Sequence, residues 1–377
     1  MWTDIILGLF AAIVFLYAGL QLGFTLLFIR KGSTTLSPSK GHHQLSILIP
    51  FRNEAHTLEH CVHSILRQLN AEDEVEILLL DDHSEDGSTE IARSIAEGNV
   101  RVRWIPSVQE GKKRALELGN QEAVYPWVFT ADADCTYEGV RFLDLVNHAR
   151  QKKWDVLTLP VWVRPERTWV GRYQFWDSVG LMLITAVTLR MNGFLSASGA
   201  ALLYRREDFL RIQPYRDNIH IASGDDQFLL YAFRQKGCSV IRMMTDPRQK
   251  VWTQAAPNWR QMLQQRLRWA SKSQNLKDIR LDLTLQLSVA ANVVFILLLG
   301  WLVFKFRIIY GFLGVLVVKW AVEVFLLLVA AHYWQLNKEA KGLLVNMLIH
   351  PWVVVAIVAN YVLRKQIKWK ERYIKHN

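Results

Sequence analysis

The sequence predicts an α/β domain, a mostly parallel sheet covered by helices on both faces, set between membrane-spanning helices. Three observations lead there. Both ends of the chain carry long uncharged apolar runs, the roughly 240 residues between them alternate strand and helix patterns, and acidic clusters recur where the strands stop.

The apolar runs come first because they fix the class. Ile5 to Ile29 contains no charged residue and as a helix would reach about 37 Å, enough to cross a bilayer. A cleaved leader fits poorly: the run is too long, Asp4 stands where a basic flank belongs, and no small-residue cleavage site follows Ile29. Leu283 to Phe304 and Gly342 to Leu363 are also uncharged, and Ile308 to Ala331 is interrupted only by Lys319 and Glu323. Those two are four apart on one helix face, which predicts a structural ion pair inside the bundle.

The chain therefore divides into an N-terminal span and flank (1–31), a linker (32–44), the α/β domain (45–256), an interfacial helix region (257–282), a membrane region with about three apolar segments (283–363) and a basic tail (364–377). Arg30 and Lys31 after the first span, with Lys272, Lys277 and Arg280 before the second, place the middle block in the cytoplasm, which suggests a bacterial inner membrane. The tail carries six Lys/Arg against Glu371 and also predicts a cytoplasmic end, whereas three full spans would put it outside; a re-entrant or interfacial segment would reconcile the two. Three scattered cysteines without CxxC spacing exclude a disulfide framework and a zinc site and suit a reducing compartment. The net charge of +11 is a membrane-flank effect, with no Lys/Arg stripe interleaved with aromatics, so no nucleic-acid polymer is expected as a partner.

Within the middle block, Leu45–Ile49 is a buried strand closed by Pro50, and Ala55–Leu69 has helical spacing. Val75–Leu80 is a second strand, ended by Asp81 and Asp82, with a helix over Ser88–Ala96. Arg101–Ile105 alternates as a strand, Lys112–Leu118 reads as a helix, and Trp127–Thr130 is again a strand. Ligands bind such sheets beyond the carboxyl ends of the strands. Trp162–Trp176 is aromatic and Val179–Leu189 apolar, a segment for the membrane surface or for a core helix beneath the sheet.

Four motifs carry chemistry. Asp132 and Asp134, read as an extended run past a strand, would point the same way and suit a hard divalent cation. Gly224-Asp225-Asp226 offers a general base, and Ser223 or Asp225 would cap the helix that follows. Gln265, Arg268 and Trp269 share a helix face that offers a phosphate-binding guanidinium and an aromatic surface for a sugar. His56, His60 and His63 lie on one helix and read as a solvated face, and Cys135 as a packed small residue.

The series IPFRNE, LLLDDHSEDGS, GKKRALELG, FTADADC, SGDDQFLL and QRLRW, in this order over Leu45 to about Ser273, resembles the family 2 glycosyltransferases, especially membrane-embedded ones. The resemblance implies a GT-A type (Rossmann-like) nucleotide-sugar-binding domain and an inverting transfer of a hexosyl or N-acetylhexosaminyl group with Mg²⁺ or Mn²⁺. By motif, Pro50, Arg52 and Glu54 match the nucleotide end of the first strand, and Asp82 the base and ribose contact. Lys112 matches a basic residue near the phosphates, with Lys113 where the family more often has a small residue. Asp132 and Asp134 match the metal and diphosphate motif, Asp132 also counting as a donor contact. Asp226 matches the base, with Asp225 the second candidate because the motif is Gly-Asp-Asp here. Gln265, Arg268 and Trp269 match the acceptor and diphosphate motif.

The expected partners are a nucleotide-diphosphate sugar, the bilayer and a glycan or lipid acceptor: a growing polysaccharide, or a ceramide-, diacylglycerol- or polyprenyl-type lipid receiving one sugar. A glycosidase would leave QRLRW without a role. A non-enzymatic transporter or receptor would want paired polar residues within the spans, where only Lys319/Glu323, Asn292 and His350 qualify.

Overall fold

Leu45, Ile47, Leu48 and Ile49 are fully buried, and a run with no solvated face has one stable solution, a central strand covered on both sides. In the computed structural model of the chain this run is β1 (Gln44–Phe51), paired in parallel with β2 (Glu74–Asp81) and with β4 (Trp127–Thr130). The described residues are 2–30, 34–36, 38, 43–193, 197–221, 223–273, 278–304, 309–336, 342–363, 366–369 and 372–375. Lys31, Lys277, Ser196, most of the linker and parts of the tail lie outside them.

The chain forms two compact units, one of residues 33–163 and 188–254, the other of residues 1–32, 164–187 and 255–377. Residues 164–187, inside the α/β span by linear reading, thus group with the membrane-type helices.

In the α/β unit β3 (Val102–Pro106) extends the parallel series, while β8 (Leu202–Arg205) runs antiparallel to β4 and to β6 (Val156–Thr158), and β9 (Ile241–Met243) closes the edge, giving the order β3-β2-β1-β4-β8-β6-β9. A second sheet of β5 (Cys135–Glu138), β10 (Lys250–Thr253) and β7 (Val161–Val163) starts directly after the acidic pair. Helices α2 (Leu58–Leu66), α3 (Ser88–Gly98) and α5 (Phe142–Lys152) bury Leu58, Val62, Ala92 and Leu145 with the Leu45, Ile47 and Ile49 side of β1. On the Leu48 and Leu80 side lies α4 (Lys112–Glu122), so close that a Cβ at Gly119 would stand 2.5 Å from Leu80 Cδ1. Helices α7 (Arg206–Ile212) and α8 (Asp225–Gln235) complete the unit. His56, His60 and His63 are exposed, as the sequence predicted for a solvated face.

In the helical unit α1 (Trp2–Arg30), α10 (Ile279–Phe304), α11 (Ile309–Tyr333) and α12 (Leu343–Leu363) are long and apolar enough to cross a membrane. Val14, Phe295, Leu298 and Leu316 form a core between the first three. Lys319, fully buried, donates to Glu323 at 2.6 Å, and Tyr17 donates to the same carboxylate at 2.9 Å, so the predicted ion pair exists and ties α1 to α11. The aromatic segment begins in β7 with Trp162, and from Trp169 onward it forms one helix with the apolar stretch after it, α6 (Trp169–Arg190), with Trp176, Val179 and Leu183 fully buried. It is therefore a packed helix and not a surface one. Helix α9 (Trp259–Ser273) carries QRLRW, and a short hairpin, β11 (Gln366–Trp369) and β12 (Arg372–Lys375), follows α12.

Asp246 fastens the chain where it enters the α/β unit. Its buried carboxylate accepts from the Leu36 amide at 2.9 Å and from Arg248 Nη2 at 2.6 Å, while Thr245 Oγ1 accepts from the Thr34 amide at 3.3 Å. Burial pushes the Asp246 carboxyl up, but Arg248 and the two amides outweigh it and the group titrates below the usual range. A carboxyl with a lowered folded pKa stabilises fully above the ordinary value of about 4 and loses that contribution as pH falls through its folded value. Asp246→Asn should lower stability by about 2 kcal/mol at pH 7 and flatten the acid side of the profile, measured by thermal unfolding in detergent between pH 3 and 7.

Candidate active site

The site starts from the loops that leave β1 and β2. Asn53 adopts a left-handed conformation (φ 54°), and its amide donates to Ser84 Oγ while its own Oδ1 accepts from the Glu85 amide at 2.8 Å. The Glu54 amide donates to Ser88 Oγ at 2.7 Å and the Ala55 amide to Asp86 at 3.1 Å. These cross-links hold the Arg52–Glu54 loop and the acidic loop as one piece. They also separate the two aspartates by task. Asp81 is consumed locally, accepting from the Ser84 amide at 2.9 Å and Thr89 Oγ1 at 2.6 Å. Asp82 reaches across to accept from the Gly111 amide at 2.6 Å, fixing the entry to α4. Gly111 has φ 117°, a conformation L side chains rarely adopt.

The first two residues of α4 then grip the other motifs. Lys112 Nζ donates to Asp132 Oδ1 at 2.7 Å and pairs with Asp225 Oδ2 at 2.8 Å. Burial alone would depress this ammonium, but the two carboxylates outweigh it and raise its pKa, so it stays charged. Lys113, 5% exposed, donates to the Asn218 carbonyl at 2.7 Å and to Asn218 Oδ1 at 2.6 Å, and lies 4.1 Å from the Phe228 ring centre. It therefore ties α4 to the loop that precedes the Gly-Asp-Asp motif, a task no small residue could perform.

Asp132 and Asp134 do not lie on an extended run. They sit in a turn between β4 and β5, closed by the Cys135 amide donating to the Asp132 carbonyl at 3.0 Å, because the chain must leave the large sheet and enter the small one here. Burial pushes the Asp134 carboxyl up to about 6, with the charges of Asp132 and Glu54 adding to it. Such a concentration of negative charge suits a hard cation. Among the described residues no three His, Cys, Asp or Glu side chains close around one point, so the donor set fits a cation held by the two aspartates with the remaining oxygens from ligand or water. Cys135, 1% exposed, contacts Asp134 at 3.4 Å, and burial drives its thiol well above the usual range, as suits a packing residue.

Opposite lies the run Ser198-Gly-Ala-Ala201, whose need for small side chains becomes plain: a Cβ on Gly199 would stand 2.7 Å from Asp225 Oδ2 and 3.3 Å from Lys112 Nζ. Helix α8 starts at Asp225 behind Gly224 (φ 88°), and no side chain caps it. The expected cap from Ser223 or Asp225 is absent because Asp225 is drawn to Lys112 instead. Asp226, half-buried beside it, accepts from the Gln227 amide at 2.7 Å.

The fold thus joins Lys112, Asp132 and Asp225 directly in the α/β unit, and Asp82 reaches them through Gly111. Pro50 is the β1 residue in register with Leu80, and Arg52 in the following loop lies 3.7 Å from Glu110. Gln265, Arg268 and Trp269 are half-buried on α9 of the helical unit. Sequence reasoning missed Asn218, to which only the out-of-pattern Lys113 pointed. It also missed Arg266 and Asp177, although Asp177 is the sole acid in the 22 residues of α6.

Residues 46–212 match the family model described as glycosyl transferase family 2. An uncharacterized glycosyltransferase, EpsJ of Bacillus subtilis, is 30% identical over 113 residues, 30% of this chain and 32% of that protein. The 4,4'-diaponeurosporenoate glycosyltransferase of Staphylococcus haemolyticus is 25% identical over 208 residues, 52% of this chain and 51% of its own. The chain spans between a third and a half of the length of these curated relatives. The mannosyltransferase PcManGT from Pyrobaculum calidifontis, solved with GDP-Man and Mn²⁺, superimposes with a TM-score of 0.54 over 94% of this chain and 99% of its own at 16% identity, a likeness of fold. By its matched residues and its sheet, the segment 46–212 is a family 2 glycosyltransferase domain of the GT-A type.

Proposed function

We propose that the protein is a membrane-anchored inverting glycosyltransferase that moves a hexosyl or N-acetylhexosaminyl group from a nucleotide-diphosphate sugar to a lipid acceptor held in the bilayer. The observation that carries the reading is the Lys112 bridge, which draws Asp132 of the acidic pair after β4 and Asp225 of the base motif at α8 to one ammonium.

Each residue then has a task. Pro50, Arg52, Glu54 and Asp82 border the nucleotide, and Lys112 faces the diphosphate. Asp132 and Asp134 would hold Mg²⁺ or Mn²⁺, which when bound offsets the charge of the departing diphosphate. Asp226 accepts the proton of the acceptor hydroxyl as its oxygen attacks the anomeric carbon, the bond to the diphosphate breaks on the opposite face, and the configuration inverts. Asp225 is already committed to Lys112, which favours Asp226 as base. Gln265, Arg268 and Trp269 serve the acceptor and the diphosphate. Arg30 at the end of α1 favours a cytoplasmic active site on a bacterial inner membrane.

A lipid acceptor is preferred over a threaded polysaccharide because the faces that α1, α10 and α11 turn to one another are occupied by side chains. Val14, Phe295 and Leu298 pack beside the closed Lys319–Glu323–Tyr17 network, which suits an acceptor that stays in the membrane.

Asp226→Asn should cut transfer by about 10²–10⁴-fold while nucleotide-diphosphate binding stays within about twofold, read by radiolabel transfer and calorimetry; transfer left intact would remove Asp226 from the chemistry. Chelation with EDTA should abolish transfer, with recovery on adding Mg²⁺ or Mn²⁺, and an indifferent rate would sink the role given to Asp132 and Asp134. Labelled nucleotide sugars incubated with membranes should give a chloroform-soluble product bearing one added sugar; long water-soluble chains would replace the lipid reading with the polymer one.

A further inference from the structure

Within the helical unit, three helix faces converge on a buried arginine, Arg266, and two half-buried groups, Asp177 and His350, that the function above does not use. On α6 the residues Val170, Tyr173, Gln174 and Asp177 follow helical spacing along one stripe. Gln174, fully buried, locks the segment just before α9 by two hydrogen bonds, its Nε2 donating to the Ala256 carbonyl and its Oε1 accepting from the Ala256 amide, both 3.0 Å. Val170, Tyr173, Met262 and Val353 form a small core joining α6, α9 and α12. At its end Arg266, 8% exposed, pairs with Asp177. The His350 ring nitrogen lies 4.0 Å from the other Asp177 oxygen and 3.2 Å from the Tyr173 hydroxyl. The Arg266 guanidinium carbon lies over the Trp269 ring, 4.2 Å from its centre.

Arg266 occupies a position in QRLRW that the motif leaves unassigned. A stripe through Met262, which lies in the small core, Arg266 and Trp269 follows helical spacing, while Gln265, Arg268 and Trp269 form the face given to the acceptor. Trp269 belongs to both, three residues from Arg266 and four from Gln265. Whatever fixes the Arg266 plane therefore fixes the tryptophan on the acceptor face. A buried guanidinium without a counter-ion is costly, so Asp177 is what allows Arg266 to remain there. A guanidinium face also suits an indole ring in a way an ammonium does not.

We propose that Asp177 and Arg266 are positioning residues for the acceptor subsite: Asp177 orients Arg266, and Arg266 holds the Trp269 ring at the angle that receives the acceptor. This deepens the lipid-acceptor reading and rests on it. Because the pair is anchored beside His350 on α12, the acceptor tryptophan is referenced to a membrane-spanning helix, where a lipid acceptor would be.

The test uses the full chain in detergent micelles, with radiolabelled UDP-glucose and GDP-mannose as donors and ceramide and diacylglycerol, each with a free hydroxyl, as acceptor probes. Arg266→Lys keeps the charge and the pairing but loses the flat face, so the fold should survive. Acceptor KM should rise about tenfold or more with kcat and donor KM within about threefold. The double variant Arg266→Lys/Trp269→Phe should be no worse than Trp269→Phe alone, because Arg266 acts through Trp269. Asp177→Glu should restore most of what Asp177→Asn loses. Independently of activity, the fluorescence difference between wild type and Trp269→Phe should shift when Arg266 is lysine. An unshifted difference spectrum, additive losses in the double variant, or equal changes in donor and acceptor KM would each overturn the proposal. If the wild type transferred no sugar at all, the transferase reading would fall while the fluorescence arm still decided the Arg266–Trp269 coupling.

Discussion

The α/β unit is organised around one ammonium. Lys112 stands at the first turn of α4 and meets a carboxylate from the turn after β4 and another from the start of α8, so three segments far apart in the chain end at a single charge. A hydrogen bond to a charged partner contributes about 1.5–3 kcal/mol, and removing the lysine would also leave two half-buried carboxylates facing each other. Other features follow from that junction. Gly199 has no side chain because Asp225 and Lys112 occupy the space, Gly224 starts α8 because Asp225 is unavailable as a cap, and Gly111 takes a conformation that lets its amide meet Asp82. Lys113 repeats the device one residue on, fixing the loop before α8 through Asn218.

The helical unit applies the same rule where the surroundings are more apolar. Lys319 is fully buried on α11, yet Glu323 one turn away and the Tyr17 hydroxyl complete its site, and the Phe295 ring lies 5.0 Å from its nitrogen. Asp177 and Arg266 do likewise for α6 and α9. Charges kept inside such a bundle contribute less to net stability than hydrocarbon of equal volume would. What they add is register, since each pair has one low-energy alignment.

The parts legible in the sequence are those for which burial leaves one solution. Leu45–Ile49 and Val75–Leu80 were readable as strands because a run buried on both faces can only be central, and they extend by a few residues to Gln44–Phe51 and Glu74–Asp81. The candidate residues themselves were legible because carboxylates at strand ends are out of place in an apolar pattern. Their connections were not. The small sheet is built of strands only three or four residues long whose partners lie up to 118 residues away, Thr253 opposite Cys135, which local periodicity cannot register. The turn holding Asp132 and Asp134 follows from that sheet and was equally hidden. Helix α2 starts at Leu58 and not at Ala55 because the Thr57 amide donates to the Glu54 carbonyl in a preceding turn. Arg266 was overlooked since charge in an amphipathic helix ordinarily marks the solvated face, and only Asp177 on another helix reverses that inference.

Under the proposed function, the different contacts of Asp225 and Asp226 favour one of two residues that the motif leaves equivalent. Both head the same helix, and the amides of its first turn favour a negative charge on either. Asp225 is only 13% exposed and 2.8 Å from Lys112, so its lone pairs are engaged by an ammonium that must be released before it could accept a proton. Its neighbour, about 100° further around the helix, has its Oδ1 on the Gln227 amide, a hydrogen bond that orients the carboxylate without neutralising it. Under the proposed function, the same helix start supplies a structural aspartate and the base, and the Lys112 contact is what favours Asp226 for the second task.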